Sequence, residues 1–574
     1  MGPNRYAATA SDPESEAWTT ILSHPSVAQD PLVVCKLLQV SRRHAAAVHE
    51  QTAGRLAVQL SADTLARTQQ FVAWVLRNSI ILHDIEVVLS AADACFWRVP
   101  TAEAAVIDAV TAAIGAGLAT LAGTTHPPPP AAAAAAVTSL RGFTARGVFT
   151  DSCSSLAASL QGVAAQLTHL ELGMLLRMQH DQGLGAPAQF TPDPPGATLA
   201  GMTALRSLVL HQPCNVDSNV AGATWPLLQD VLQDCVYNMK QLTRLELPVH
   251  MEDMAGLQHL QQCLPAGLQE LQLGADAGSE QDEGAIAFGV IEGEEVLQGR
   301  QQYPLELSHL TALTKLTLSA SVPLVSDDEL PATLLQLRLR QCFDLHPLLG
   351  LTKLQSLALR PSTIPPRRLQ DLTQLTSLTS VKLFYEGGYQ QCGEFTHWSI
   401  QRLNESAAVW IQLPVVSLGL YEGSGPYEGG VFGPLTVGLT KQMQKLAGLT
   451  SLTLDWPLEH AVFAGIGQLT HLRQLSLHWG WYDEYVGTRW TEHTAEQLAN
   501  CADAVLHVMH GFAALPHLQE LCWLCDEDRD LCLSLEGLQQ SLEQLGPRGA
   551  PGSMQVSIHE LAALVEPNME EYEY

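Results

Sequence analysis

The sequence predicts an α/β solenoid, a stack of short turns whose strands run parallel and side by side. Three observations predict it. Segments such as LTALTKLTL, LPATLLQLRL and LTKLQSLAL recur along the chain. Aligned on the middle leucine of L-x-x-L-x-L, the copies place Ile85, Phe143, Leu170, Leu208, Leu245, Leu271, Leu316, Leu337, Leu357, Val381, Leu418, Leu452, Leu475 and Leu521 at equivalent positions, with Val556 as a weaker further copy. The short gaps between copies are 20, 21, 23, 24, 26 and 27 residues, the length of one strand and one return segment. Within each copy the last two leucines alternate with a polar residue, as a strand with one buried face requires.

One turn cannot bury its leucines alone, so neighbours must stack them into a shared ladder. The pattern resembles the leucine-rich repeat family over roughly residues 64–558. That resemblance implies a horseshoe with parallel strands on the concave face and a role in protein binding. The chain departs from the family after the strand, where an asparagine is usual and Asp276, Ser321, Cys342, Ser362 or Gly480 stands instead.

Composition narrows the function. Hydrophobic residues make up 46% of the 574-residue chain and charged residues 16%, which excludes a disordered chain. Thirty basic against fifty-nine acidic residues give a net charge of −29, which opposes broad binding to nucleic acid or an anionic membrane. The first residues, MGPNRYAATASDPESEAW, lack the charged-then-apolar pattern of a secretory signal. A cytoplasmic location is therefore expected, with cytoskeleton-associated or nuclear alternatives, and the twelve cysteines read as reduced thiols.

Residues 15–60 read as a small helical segment ahead of the array. LVVCKLLQVSRRHAAAVHE has helical periodicity and resembles the second half of an F-box, with His44 where the family has tryptophan. The resemblance implies docking of a Skp1-type adaptor, with Trp18, Leu32, Leu38 and Val40 shaping the contact, and hence a substrate-recognition subunit of a cullin-type ubiquitin ligase. The alternative is a plain cap on the first repeat, which would leave a stand-alone intracellular scaffold.

The apolar run 104–123 is Ala/Gly-rich and carries Asp108, a costly residue at mid-membrane, so it reads as a helix of the folded chain. The stretch 124–137 is a Pro/Ala linker. The segment 274–302 is an acidic insertion between two turns, YEGSGPYEGG is a second loop, and 559–574 is an acidic tail.

The residues flanking the strand leucines should point away from the ladder, onto the concave face. Four adjacent turns supply Lys315, Thr317, Ser319; Gln336, Arg338, Arg340; Ser356, Ala358, Arg360; and Ser380, Lys382, Phe384. Five of these twelve are basic and none acidic, so the expected site is Lys315, Arg338, Arg340, Arg360 and Lys382 with Phe384 and Tyr421 as aromatic anchors. Guanidinium forks suit carboxylate and phosphate oxygens, which points to an acidic or phosphorylated protein partner; the alternative is a solvated face whose charges balance nearby acidic loops, the 274–299 stretch among them.

No catalytic pattern competes with this reading. HLQELCWLCDEDRDLC around Cys522, Cys525 and Cys532 has spacing compatible with zinc, but Cys522 falls inside the strand pattern. HELAAL lacks the second histidine of a zinc-protease helix, and no P-loop or dinucleotide fingerprint occurs. Neither enzymatic activity nor a cofactor is expected. The cluster Trp479, Trp481, Tyr482, Tyr485 and Trp490 reads as the filling of an enlarged turn, with a second contact surface as the alternative.

Overall fold

The computed structural model describes residues 56–61, 82–88, 141–149, 164–175, 201–211, 235–247, 254–274, 305–319, 329–339, 345–359, 366–386, 409–423, 437–455, 465–479, 515–525 and 555–560, and positions 70, 73, 199, 342, 364, 407 and 462. The 104–123 run, the 124–137 linker, nearly all of the 274–302 insertion and the tail beyond Glu560 lie outside them. Among the described residues no helix is long and apolar enough to cross a membrane. The chain divides into unit 1, residues 1–216 and 226–246, and unit 2, residues 217–225 and 247–574.

In unit 1 the strands β1 (Leu56–Ser61), β2 (Leu82–Val88), β3 (Gly142–Phe149), β4 (His169–Leu175), β5 (Ser207–His211) and β6 (Arg244–Leu247) pair in chain order. All pairs with a resolved register are parallel, and Val58, Ile85, Phe143, Leu170, Leu208 and Leu245 fall on one line across the sheet. Phe143, Leu170, Leu208 and Leu245 are fully buried. β1 precedes the expected start of the array at residue 64 and takes most of its residues from the end of the segment read as 15–60. Its LAVQLS alternates correctly, but no L-x-x-L lead-in announces it.

Unit 2 continues the same construction with β7 (Glu270–Leu273), β8 (Lys315–Leu318), β9 (Gln336–Leu339), β10 (Ser356–Leu359), β11 (Ser380–Glu386), β12 (Ser417–Gly423), β13 (Ser451–Asp455), β14 (Gln474–Trp479), β15 (Glu520–Cys525) and β16 (Gln555–Glu560). Leu271, Leu316, Leu337, Leu357, Val381, Leu418, Leu452, Leu475, Leu521 and Val556 again stand in register. Apolar residues ahead of the strands are buried as well, as Leu310 and Leu313 show ahead of Leu316 and Leu351 and Leu354 ahead of Leu357. Each such buried leucine is worth roughly 1.5–3 kcal/mol, and it collects that only because the next turn covers it.

What holds the turns in step lies at the strand entrance. Among the described residues, the carbonyl one residue before eleven of the strands accepts two backbone amides from the following turn. Gln355 O takes Thr379 N and Ser380 N at 2.9 and 2.9 Å, and Thr379 O takes Val416 N and Ser417 N at 2.7 and 3.0 Å. The pattern repeats at Arg141, Thr168, Arg206, Gln269, Thr314, Leu335, Val416, Thr450 and Arg473. Where the entering residue is threonine its hydroxyl donates to the same carbonyl, as Thr243 Oγ1 does to Arg206 O at 3.0 Å and Thr314 Oγ1 to Gln269 O at 3.2 Å. A carbonyl oxygen has two lone pairs, so one acceptor can hold both amides of the following turn at once. This ladder occupies the end of the strand opposite the family's asparagine slot.

Among the described residues the return segments include short helices, α1 (Met254–Cys263), α2 (His346–Leu349), α3 (Pro366–Leu369) and α4 (Val437–Met443), and 3₁₀ turns at Ala164–Gln166 and Gln370–Gln374. Gly274 ends β7 with φ of 88°, a left-handed conformation that glycine adopts without strain. Thr440 of α4 is 2% exposed and packs against Gly465 so closely that a β-carbon there would lie 2.6 Å from Thr440 Cβ. Gly465→Ala is therefore expected to cost about 1–3 kcal/mol in denaturant unfolding, because the obstructing atom sits next to the backbone and cannot swing away. An unchanged midpoint would show that α4 is free to shift.

Candidate functional site

The side of each strand opposite the ladder forms an open face, and register decides which residues meet there. In unit 2 one row runs Thr317, Arg338, Ala358, Lys382, Gly419, Thr453. A second row, nearer the strand entrance, runs Lys315, Gln336, Ser356, Ser380, Ser417, Ser451. β11 and β12 are seven residues long where β8, β9 and β10 have four. That extra length adds Phe384 and Tyr421, directly paired, toward the strand exit.

Phe384 and Tyr421 stack with ring centroids 4.8 Å apart and planes inclined by 17°. The Tyr421 ring lies down over Gly419, where an added β-carbon would come within 2.6 Å of Cε2. Arg338 completes the group, its Cζ 5.6 Å from the Phe384 centroid. Arg338 and Phe384 stand two strands apart, a separation of about 9–10 Å, so the arginine stem must cross β10 at Ala358. A small side chain is what that crossing needs, and Ala358 is 7% exposed. The stack and the cation–π contact contribute roughly 0.5–1.5 and 0.5–1 kcal/mol, which biases the guanidinium toward the ring without fixing it there. Lys382 is exposed between the two small residues.

A prediction follows for Gly419→Ala. The clash is with the far end of a side chain, so the cost should be limited to the lost stack, about 0.5–1.5 kcal/mol, while the ring is displaced from Phe384. Tyr421 near-ultraviolet dichroism would register the displacement, and an unaltered spectrum would contradict it.

Several sequence expectations are corrected. Lys315 does not belong to an unopposed basic patch: Glu270, in register on β7, holds its Nζ at 3.4 Å. The balancing carboxylate falls one strand ahead of the four turns that carry the basic residues. Thr317 and Ser319, expected on the face, are buried at 8% and 6% exposure. Arg340 and Arg360 lie outside the described residues, as do Trp18, Leu32, Leu38 and Val40. Cys342, one of the residues in the asparagine slot, is fully buried. Among the described residues no cluster of three or more His, Cys, Asp or Glu could hold a metal ion.

A shallow groove of about 640 Å³ adjoins the serine row at the strand entrance, lined by Leu335, Thr352, Lys353, Gln355, Ser377 and Thr379. Two of its hydroxyls already bond main chain, Ser377 Oγ donating to Thr352 O at 2.7 Å and Thr379 Oγ1 to Gln355 O at 3.4 Å. The open face of unit 1 has different chemistry, which the sequence reading did not single out. Arg244 Nε donates to Glu246 Oε1 at 2.9 Å, and His169 Nε2 stands 3.8 Å from Glu171 Oε2. Strand alternation at positions i and i+2 is the signal that pairs them.

No protein-family model and no curated protein matches the chain. Among solved structures it is similar to an internalin from Listeria monocytogenes, at 16% identity over 60% of this chain and 75% of that one, with a TM-score of 0.24. The leucine-rich repeat-containing protein LegL7 from Legionella pneumophila is 12% identical over 68% and 98%, with a TM-score of 0.29. A leucine-rich repeat protein from Leptospira interrogans is 13% identical over 81% and 94%, with a TM-score of 0.27. Strand order, register and the buried leucine ladder carry the assignment on their own: the fold class is α/β, a leucine-rich repeat solenoid.

Proposed function

We propose that the chain is a non-enzymatic protein-interaction module whose unit 2 open face captures an acidic or phosphorylated segment of another protein. The observation that supports this reading is the Arg338–Phe384–Tyr421 group, a guanidinium held over an aromatic stack on a face that also carries Lys382. An oriented guanidinium loses less freedom on pairing with a carboxylate or phosphate than a loose one. Arg340 and Arg360, two residues after Arg338 and Ala358 in the sequence, add to the positive charge expected of the same face. The test compares proteins retained from a lysate by the natural chain and by the Arg338→Glu, Lys382→Glu variant. An identical retained set overturns the site.

The narrower reading makes the module the substrate receptor of a cullin-type ubiquitin ligase inside the cell. It is supported by the F-box resemblance of LVVCKLLQVSRRH alone, with Leu32, Leu38, Val40 and Trp18 as adaptor contacts. A Skp1-type adaptor retained by the chain, and released by Leu38→Asp, is the expected result. No retention would leave the stand-alone scaffold.

A further inference from the structure

We propose that the Tyr421 hydroxyl joins Arg338 and Lys382 as a third donor, and that the three select a phosphoserine or phosphothreonine side chain of a partner protein over a carboxylate. The proposal rests on the reading of this face as a docking surface and names the group that surface takes. Register brings the three donors to one spot. Arg338 reaches from β9 to within 5.6 Å of the Phe384 centroid. Lys382 stands two residues before Phe384 on the same strand, about 6.6 Å away along it. Tyr421 belongs to the ring row, yet its side chain runs back toward the row of cations. Its hydroxyl oxygen lies 3.1 Å from where a Gly419 β-carbon would be. Gly419 is the register partner of Lys382, one strand spacing of about 4.8 Å away. The phenol therefore ends beside the lysine, and only a residue without a side chain at 419 lets it do so.

The rings serve the donors rather than the guest. Phe384 takes Arg338 from the β9 side and Tyr421 from the β12 side, so its flanks are already used. Lys382 is exposed, and a short phosphorylated side chain reaches these groups without the stem of a phosphotyrosine. A carboxylate brings one charge and two oxygens in one plane. A phosphate monoester brings about 1.5–2 charges and three diverging oxygens, which suits two cations and a hydroxyl set around one point. The two rows that hold the cations contain no acidic residue from β8 to β13. On β11, β12 and β13 the acidic positions Glu386, Glu422 and Asp455 lie at or past the ring row.

The test passes pools of nine-residue peptides, randomised except for a central phosphoserine, phosphotyrosine, glutamate or serine, over the immobilised full chain. The phosphoserine pool should be retained roughly tenfold or more above each of the others. Tyr421→Phe keeps the ring and removes the hydroxyl, and should lower phosphoserine retention about tenfold. Gly419→Ala, which displaces the ring, should do the same, and Arg338→Glu with Lys382→Glu should abolish retention. Equal retention of the phosphoserine and glutamate pools overturns phosphate selection and leaves an acidic docking surface standing. Preference for phosphotyrosine overturns the choice of a short side chain. Undiminished phosphoserine retention by Tyr421→Phe overturns the role of the hydroxyl, and by the doubly reversed chain it overturns the site. Retention of no pool overturns the proposal, and the lysate comparison then decides separately whether the surface has a partner.

Discussion

Replacing Leu357 by alanine is expected to cost about 3 kcal/mol, within the range of 2–5 found for buried leucines, and to weaken three strands rather than one. Leu357 is fully buried and stands in register between Leu337 and Val381. Each neighbour loses a packing partner when its side chain is cut back. In a stack of turns stability is a sum of single-turn terms and nearest-neighbour terms, so the loss should be local. Amide hydrogen exchange should quicken in β9, β10 and β11, while β4 and β5 of unit 1 keep their protection. Uniform quickening across the chain would mean that the leucines share one cooperative core and that the ladder account is wrong.

The other large effect is on recognition. Reversing Arg338 and Lys382 together should reduce capture of an acidic segment by a hundredfold or more, since truncating a charged partner at an interface costs roughly 2 kcal/mol or more per site and reversal adds repulsion. Thermal stability should hardly move. Neither side chain supports the ladder, and both project from the opposite side of the sheet. Arg338→Lys provides the finer discrimination. It keeps the charge but loses the planar group set over Phe384, so an intermediate affinity is expected. Equal affinity for Arg338→Lys and the natural chain would show that orientation contributes nothing.

Much of the fold was legible because burial here is periodic. The positions aligned in the sequence take their places in register within each unit, Ile85 to Leu245 in unit 1 and Leu271 to Val556 in unit 2, since L-x-x-L-x-L fixes which positions alternate inward. β1 escaped because its alternation stands without the leucine turn that marks the others. Of the site, Arg338, Lys382, Phe384 and Tyr421 were readable from alternation alone. Their mutual contact was not, because it depends on Ala358 and Gly419, whose importance is the absence of bulk and which carry no chemical signal. Lys315 misled for the opposite reason: its partner Glu270 lies 45 residues away in sequence and next door in space.

The carbonyl rail at the strand entrance asks only that one residue of each turn arrive at a fixed place. Thr379 meets Gln355 after 24 residues, and Thr314 meets Gln269 after 45, with the same bonds in both cases. The length of a detour is thus decoupled from the alignment of the next strand. Such a protein can acquire or shed excursions between coils as its lineage changes, while the pattern of side chains offered to other molecules stays where it was.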